Sequence, residues 1–136
     1  MSRNALSHTA DTGLEATAPT FPDLVEELAM GMFELMADAD CSEPPRTVET
    51  TVEAESREDL IVDVLSELLY LSETEDTHFC RFEVSITDHR SMALRASGMP
   101  NGAVEVTGPP IKAVTYHQLE VTETDDGWYD RVYFDV

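Results

Sequence analysis

The sequence predicts an α+β domain, a two-layer sandwich in which a mixed β-sheet carries two amphipathic helices on one face. Three observations lead there. Two stretches repeat apolar residues at three- and four-residue spacing, and several others alternate apolar with polar residues. The order along the chain is strand, helix, strand, helix and then a run of strands. At 136 residues, 42% of them hydrophobic, the chain can bury one sizeable core and is short for two, so residues 1–136 are expected to form a single domain.

The first strand is read from Leu14, Ala16 and Ala18, which alternate with Glu15 and Thr17 and suit an edge strand ending at Pro19. Thr20-Phe21-Pro22-Asp23 marks a helix start, with an acid in the first turn. Leu24, Val25, Leu28, Met32, Leu35 and Met36 then form one apolar face, predicting a helix from about Pro22 to Ala37. Cys41 to Arg46, with Pro44-Pro45, is a loop. Val48, Thr50, Val52 and Ala54 alternate as a second strand. Ser56 followed by Glu58 and Asp59 is close to a capping box and opens a second helix through Leu60, Ile61, Val64, Leu65, Leu68, Leu69 and Leu71. Glu73 to Thr77 is a polar turn.

The remainder reads as strands. Phe82, Val84 and Ile86 alternate up to a turn at Asp88-His89-Arg90, followed by Met92, Leu94 and Ala96. Gly98 to Gly102 reads as a loop, Ala103 to Val106 as a short strand, and Gly108-Pro109-Pro110 as a break. Val114 to Thr122 and Trp128 to Val136 flank Asp125-Asp126-Gly127, where Asp-Gly is a strong hairpin signal.

The charge is extreme, with 28 Asp and Glu against 8 Lys and Arg, a formal net charge of -20. Such a surface repels itself in dilute buffer, and roughly molar salt, with a Debye length near 3 Å, screens that repulsion. A chain this acidic that keeps its apolar periodicity is therefore read as a folded domain of halophilic character, since disorder requires low hydrophobicity as well as charge. No window supplies a basic stripe, so direct nucleic-acid binding is not expected. Cys41 and Cys80 belong to no CxxC motif and read as two free, half-buried thiols in a reducing cytosol rather than as a disulfide framework or zinc site. Met1 to Asn4 is followed by no apolar segment of the signal-peptide kind. No run approaches the roughly 20 apolar residues of a membrane span. A cytoplasmic protein without membrane association is expected.

The usual nucleotide and hydrolase patterns, GxGxxG, Walker A, GxSxG and HExxH, are absent, and His8, His78, His89 and His117 include no pair at helical ligand spacing. Three features stand apart. His8-Thr9-Ala10-Asp11-Thr12-Gly13 places an imidazole and a carboxylate just before the first strand, where an Asp is equally the residue of a solvated turn. Phe134-Asp135-Val136 ends the chain within a strand, so that the Asp135 carboxylate and a terminal oxygen of Val136 offer hard ligands for Ca²⁺, Mg²⁺ or Mn²⁺; alternatively Val136 is the last core residue. Lys112 is the one lysine of the chain, either a retained point charge for a phosphate or carboxylate, or a surface lysine with no such task.

The segments His8 to Gly13, Phe33-Glu34-Leu35-Met36, Asp59 to Tyr70 (DLIVDVLSELLY), Ile111 to His117 (IKAVTYH) and Phe134-Asp135-Val136, taken in that order, resemble the archease family over nearly the whole chain. The resemblance implies an accessory protein, not itself an enzyme, that activates RtcB-type tRNA-splicing RNA ligases. Those ligases use a metal and GTP and pass through a guanylylated histidine, and archeases promote that guanylylation and turnover. It implies a divalent metal ion held by Asp11, Asp135 and Val136, with Lys112 matching a family motif position and His8 a second candidate for partner activation. A chaperone-like role towards an RNA-modifying enzyme, such as a tRNA methyltransferase, is the alternative that the same family suggests. An enzyme, for instance a metal-dependent phosphohydrolase, is disfavoured because no second metal cluster and no base accompany these residues.

Overall fold

The computed structural model describes residues 1–7, 12–88 and 90–136. In chain order the elements are β1 (Ser2–Ser7), β2 (Thr12–Ala18), α1 (Phe21–Glu34), β3 (Ala37–Asp38), β4 (Arg46–Glu53), α2 (Arg57–Thr74), β5 (Thr77–Asp88), β6 (Ser91–Pro100), β7 (Glu105–Val106), β8 (Ala113–Thr124) and β9 (Gly127–Asp135). The α+β class follows as expected. The strands pair antiparallel in a four-stranded sheet of order β1-β2-β9-β8, a three-stranded sheet of order β4-β6-β5 and the short pair β3-β7.

Both helices begin where their caps place them. The Thr20 hydroxyl accepts from the Asp23 N–H at 3.2 Å and the Ser56 hydroxyl from the Asp59 N–H at 3.1 Å, each satisfying an orphan donor of the first turn. Each helix touches strands of both larger sheets, α1 chiefly β2 and β5, α2 chiefly β8 and β5. One core therefore serves the whole molecule, with Leu24, Leu28, Met32 and Phe33 of α1 and Ile61, Val64, Leu65 and Leu68 of α2 at its centre. Phe33 meets Phe79 and Phe82 of β5 at ring-centroid distances of 5.7 and 5.8 Å. No helix among the described residues is long and apolar enough to cross a membrane.

The structure corrects four details of the sequence reading. The first predicted strand, β2, is not an edge, because β1 pairs with it from Ser2↔Thr17 to Ser7↔Thr12 on the side away from β9. The first helix stops at Glu34 instead of Ala37: its last turn tightens through Met36 N–H to Phe33 C=O, and Ala37 is drawn off to pair with Val106. The expected loop from Gly98 onward continues as strand to Pro100. Gly98 is buried against β5 so closely that a Cβ there would lie 2.1 Å from the His78 carbonyl oxygen. Gly98→Ala is accordingly expected to destabilise the fold by about 1–3 kcal/mol, read as a lowered midpoint in a urea or thermal melt; an unchanged midpoint would refute the close approach.

The fourth correction concerns the cysteines, which form a disulfide, Cys41–Cys80, with Cα atoms 6.0 Å apart, a normal span for such a link. Its cause is local. The β5–β6 register shifts between Phe79 and Arg81, leaving Cys80 as the bulged residue, and a bulge re-aims a side chain out of the ladder. Arg81 holds the same loop by donating to the Cys41 carbonyl at 2.8 Å.

Candidate functional site

At one end of the four-stranded sheet three strands converge. Thr12 opens β2 opposite Phe134 of β9, and Val114 of β8 faces Phe134 from the other side. Phe134 is fully buried and anchors this corner, and the next residue, Asp135, is exposed. The Lys112 N–H donates to the Asp135 carbonyl at 2.7 Å, tying the segment before β8 to the end of β9. Of the residues singled out from the sequence, the structure brings Lys112, Asp135 and Val136 together here by their backbones. Asp11 and His8, as well as His89, lie outside the described residues. In sequence Asp11 is the residue immediately before Thr12.

The donors available at the corner are the Asp135 carboxylate and the main-chain oxygen of Val136, which is 39% exposed. Hard oxygens of this kind suit Ca²⁺, Mg²⁺ or Mn²⁺. Two residues do not complete a ligand set, and among the described residues no group of three His, Cys, Asp or Glu side chains gathers to hold a metal.

Lys112 also borders an open groove of about 650 Å³ between α2 and the segment entering β8. Its floor is apolar, with Met36, Leu69, Ile111 and Val114, and Tyr70 and Glu73 stand on its α2 wall. The polar groups of that wall are partly engaged inside the fold: Ser72 donates to the Thr77 carbonyl and its own carbonyl accepts from Asn101 Nδ2. Further along the same strand, Tyr116 donates to Asp59 Oδ1 of α2 at 2.8 Å, a bond that holds its phenol protonated and pushes its pKa up to about 12. His117, the next residue of β8, is exposed, with its ring 6.1 Å from that of Tyr133.

The cations of the chain are unevenly engaged. Arg3, Arg46, Arg90, Arg95 and Arg131 pair with carboxylates, Arg57 lies over the Trp128 ring at 4.9 Å, and Arg81 holds the Cys41 carbonyl. Lys112 takes no part in an ion pair among the described residues, nor do Asp63, Glu67 and Glu73 of α2.

Two buried titratable groups, Asp130 and His78, were not singled out from the sequence as buried. Asp130 of β9 is fully buried, and neither carboxylate oxygen has a well-formed hydrogen bond; burial pushes its pKa up to about 8, opposed only in part by the nearby Arg131 N–H. The signal was present, since Asp130 shares the parity of the core residues Val132 and Phe134 along an alternating strand. His78 is also buried, which depresses its pKa, and its ring lies edge-on to Phe33 at 5.2 Å. It belongs to the core and not to the corner.

Comparison with known proteins bears on this arrangement. The model of the archease protein family (MTH1598/TM1083) matches residues 4–136. The protein archease of Methanosarcina barkeri is 34% identical over 136 aligned positions, covering 96% of this chain and 93% of its own length. That of Methanothermobacter thermautotrophicus is 32% identical over 132, covering 94% of each. Among solved structures, the solution structure of protein 1598 from Methanobacterium thermoautotrophicum superposes with a TM-score of 0.74 at 25% identity, over 98% of both chains. The crystal structure of an archease, described as a possible chaperone, from Thermotoga maritima gives 0.69 at 22% identity over 100% of this chain and 98% of the other, a likeness of fold alone.

Proposed function

Because the chain belongs to the archease family, we propose that it activates an RtcB-type tRNA-splicing ligase by promoting the ligase's guanylylation and turnover, acting as an accessory protein in the cytoplasm. The observation that carries this reading is the register at the sheet end, where Thr12, next in sequence to Asp11, faces Phe134, next to Asp135. In the proposed site Asp11, Asp135 and the Val136 main-chain oxygen hold a divalent ion, which supplies a fixed positive charge beside the ligase's nucleotide. The residues of this chain do the rest. The buried Phe134 side chain holds Asp135 at the rim, and the Lys112 backbone fixes the neighbouring segment; its ammonium, in no ion pair among the described residues, is the group that meets a phosphate oxygen. His8 is the second candidate for contact with the partner.

The test is guanylylation and multiple-turnover RNA joining by the ligase of the same organism, with and without this protein, beside an Asp11→Ala, Asp135→Ala double variant. The wild type is expected to stimulate both steps. The variant should lose at least roughly tenfold of the effect, since even outer-shell changes cost a metal site about 10–100-fold. Equal stimulation by both proteins would remove the metal site from the mechanism. Stimulation by neither would reject the activator reading and leave a chaperone-like role, of the kind named for the Thermotoga maritima relative, as the one to pursue.

A further inference from the structure

The large apolar side chains left exposed are not scattered. Six are found among the described residues: Met1, Tyr70, Ile86, Val106, Tyr116 and Val136. Four of them collect around the single segment that runs from β7 into β8. Val106 ends β7, and the next two N–H groups, of Thr107 and Gly108, bond the carbonyl of Met36, itself on the groove floor. Tyr70, 61% exposed, stands on the opposite wall of that groove. Tyr116, 56% exposed, lies two residues beyond the groove's Val114 on β8. Val136 follows Asp135, to which Lys112 is bonded. Concentrated exposed apolar surface of this kind marks an interaction face, and tyrosine is among the residues enriched at such faces.

Two further features say what covers it. Tyr116 is already oriented, its hydroxyl held by Asp59, so little side-chain freedom remains to be lost on contact. Asp63, Glu67 and Glu73 recur along α2 at three- and four-residue spacing with Tyr70, and among the described residues none of them forms an ion pair, while all seven arginines are engaged elsewhere in the fold. Covering these carboxylates with an apolar or acidic surface would desolvate unpaired charge, whereas a cationic surface compensates it.

We propose that the face formed by Tyr70, Tyr116 and the groove beside Lys112 is a docking surface for a partner protein, and that the docked segment is cationic, with an aliphatic or aromatic anchor flanked by arginine or lysine. The proposal rests on the activator reading, in which the partner is the ligase, and adds the surface and the chemistry by which it is held. The apolar anchor fills the groove over Leu69 and Val114, Tyr70 and Tyr116 close over its flanks, and the basic residues face the α2 carboxylates. Docking there sets the Asp135 and Val136 end against the partner.

The experiment measures binding of the same organism's ligase to the wild type, to a Tyr70→Ala, Tyr116→Ala double variant, to an Asp63→Asn, Glu67→Gln, Glu73→Gln triple variant and to Ile86→Ala, which alters an exposed apolar residue on the three-stranded sheet. Each variant's melting midpoint and its guanylylation stimulation at saturating concentration are recorded alongside. The tyrosine variant is expected to raise Kd at least tenfold with its midpoint and saturating stimulation retained, the triple variant to raise Kd several-fold with a flatter salt dependence, and Ile86→Ala to bind as the wild type does. Wild-type affinity in the tyrosine variant, with stimulation intact, overturns the docking surface and leaves the activator reading standing. Absence of both binding and stimulation by the wild type overturns the two together. A dimer of the chain alone that the tyrosine substitutions dissolve gives the face to a second copy and likewise overturns the proposal.

Discussion

Replacing Cys41 and Cys80 together by serine is expected to lower the unfolding free energy by about 3–4 kcal/mol. That is the chain-entropy value for a link across a sequence separation of 39. For a domain of this size the loss corresponds to a fall in melting temperature of roughly 10–15 °C, and reduction of the wild type should reproduce it. A disulfide is uncommon in a reducing cytoplasm, so the first half of the test is a thiol titration of protein alkylated at lysis. The second half is a melt with and without reductant, where coincident curves would show that the link contributes nothing. The effect should also be directional. Cys41 follows β3, whose Ala37 and Asp38 pair with Val106 and Glu105, and the Met36 carbonyl holds the N–H groups of Thr107 and Gly108. Ile111 N–H then rests on the Met36 sulfur at 3.4 Å, one residue before Lys112. Hydrogen exchange in the reduced protein should therefore rise at residues 37–46 and again at 105–112, more than in α2.

Most of the architecture was legible because it rests on periodicity and end signals. Thr20 and Ser56 are caps in sequence and in structure, and the Asp-Gly at the β8–β9 turn works because Gly127 takes φ +136 with no room for a side chain. What escaped depends on partners distant in sequence. β1 is polar and lacks alternation, and it becomes a strand only because β2 offers it an edge. The two-residue β3 exists only where Val106 meets Ala37. The disulfide requires the bulge at Cys80, which no local pattern announces. At the candidate site, spacing alone left Asp135 and Lys112 as isolated residues. Their meeting is a matter of register at the open end of the β8–β9 hairpin, between residues more than twenty positions apart, supplied first by resemblance to a family and then by the fold.

The second large effect is expected from Asp130→Asn, and it should grow with pH. Asp130 is fully buried in the centre strand of the four-stranded sheet, between Ala16 of β2 and Val121 of β8. The charged groups that act on it are Glu120 of β8 and Glu58 of α2, which disfavour its ionisation, and Arg131, which favours it too weakly to offset burial. The folded-state pKa thus lies at about 8, against 3.8 for an unperturbed aspartate. Between those two values the folded protein binds one more proton at this position than the unfolded chain does. Stability conferred by the protonated form is therefore complete below the lower pKa and is lost as pH rises through the upper one, by about 1.4 kcal/mol per pH unit. The asparagine variant is nearly isosteric and does not titrate. Its stability should match the wild type's near pH 4 and exceed it by about 5 kcal/mol at pH 8 and above. Urea melts of the two proteins from pH 4 to pH 9, at constant salt, give the difference directly and cancel the titration of the many surface carboxylates common to both. Parallel curves would mean that Asp130 has a counter-charge or a proton partner that its burial in β9 does not reveal.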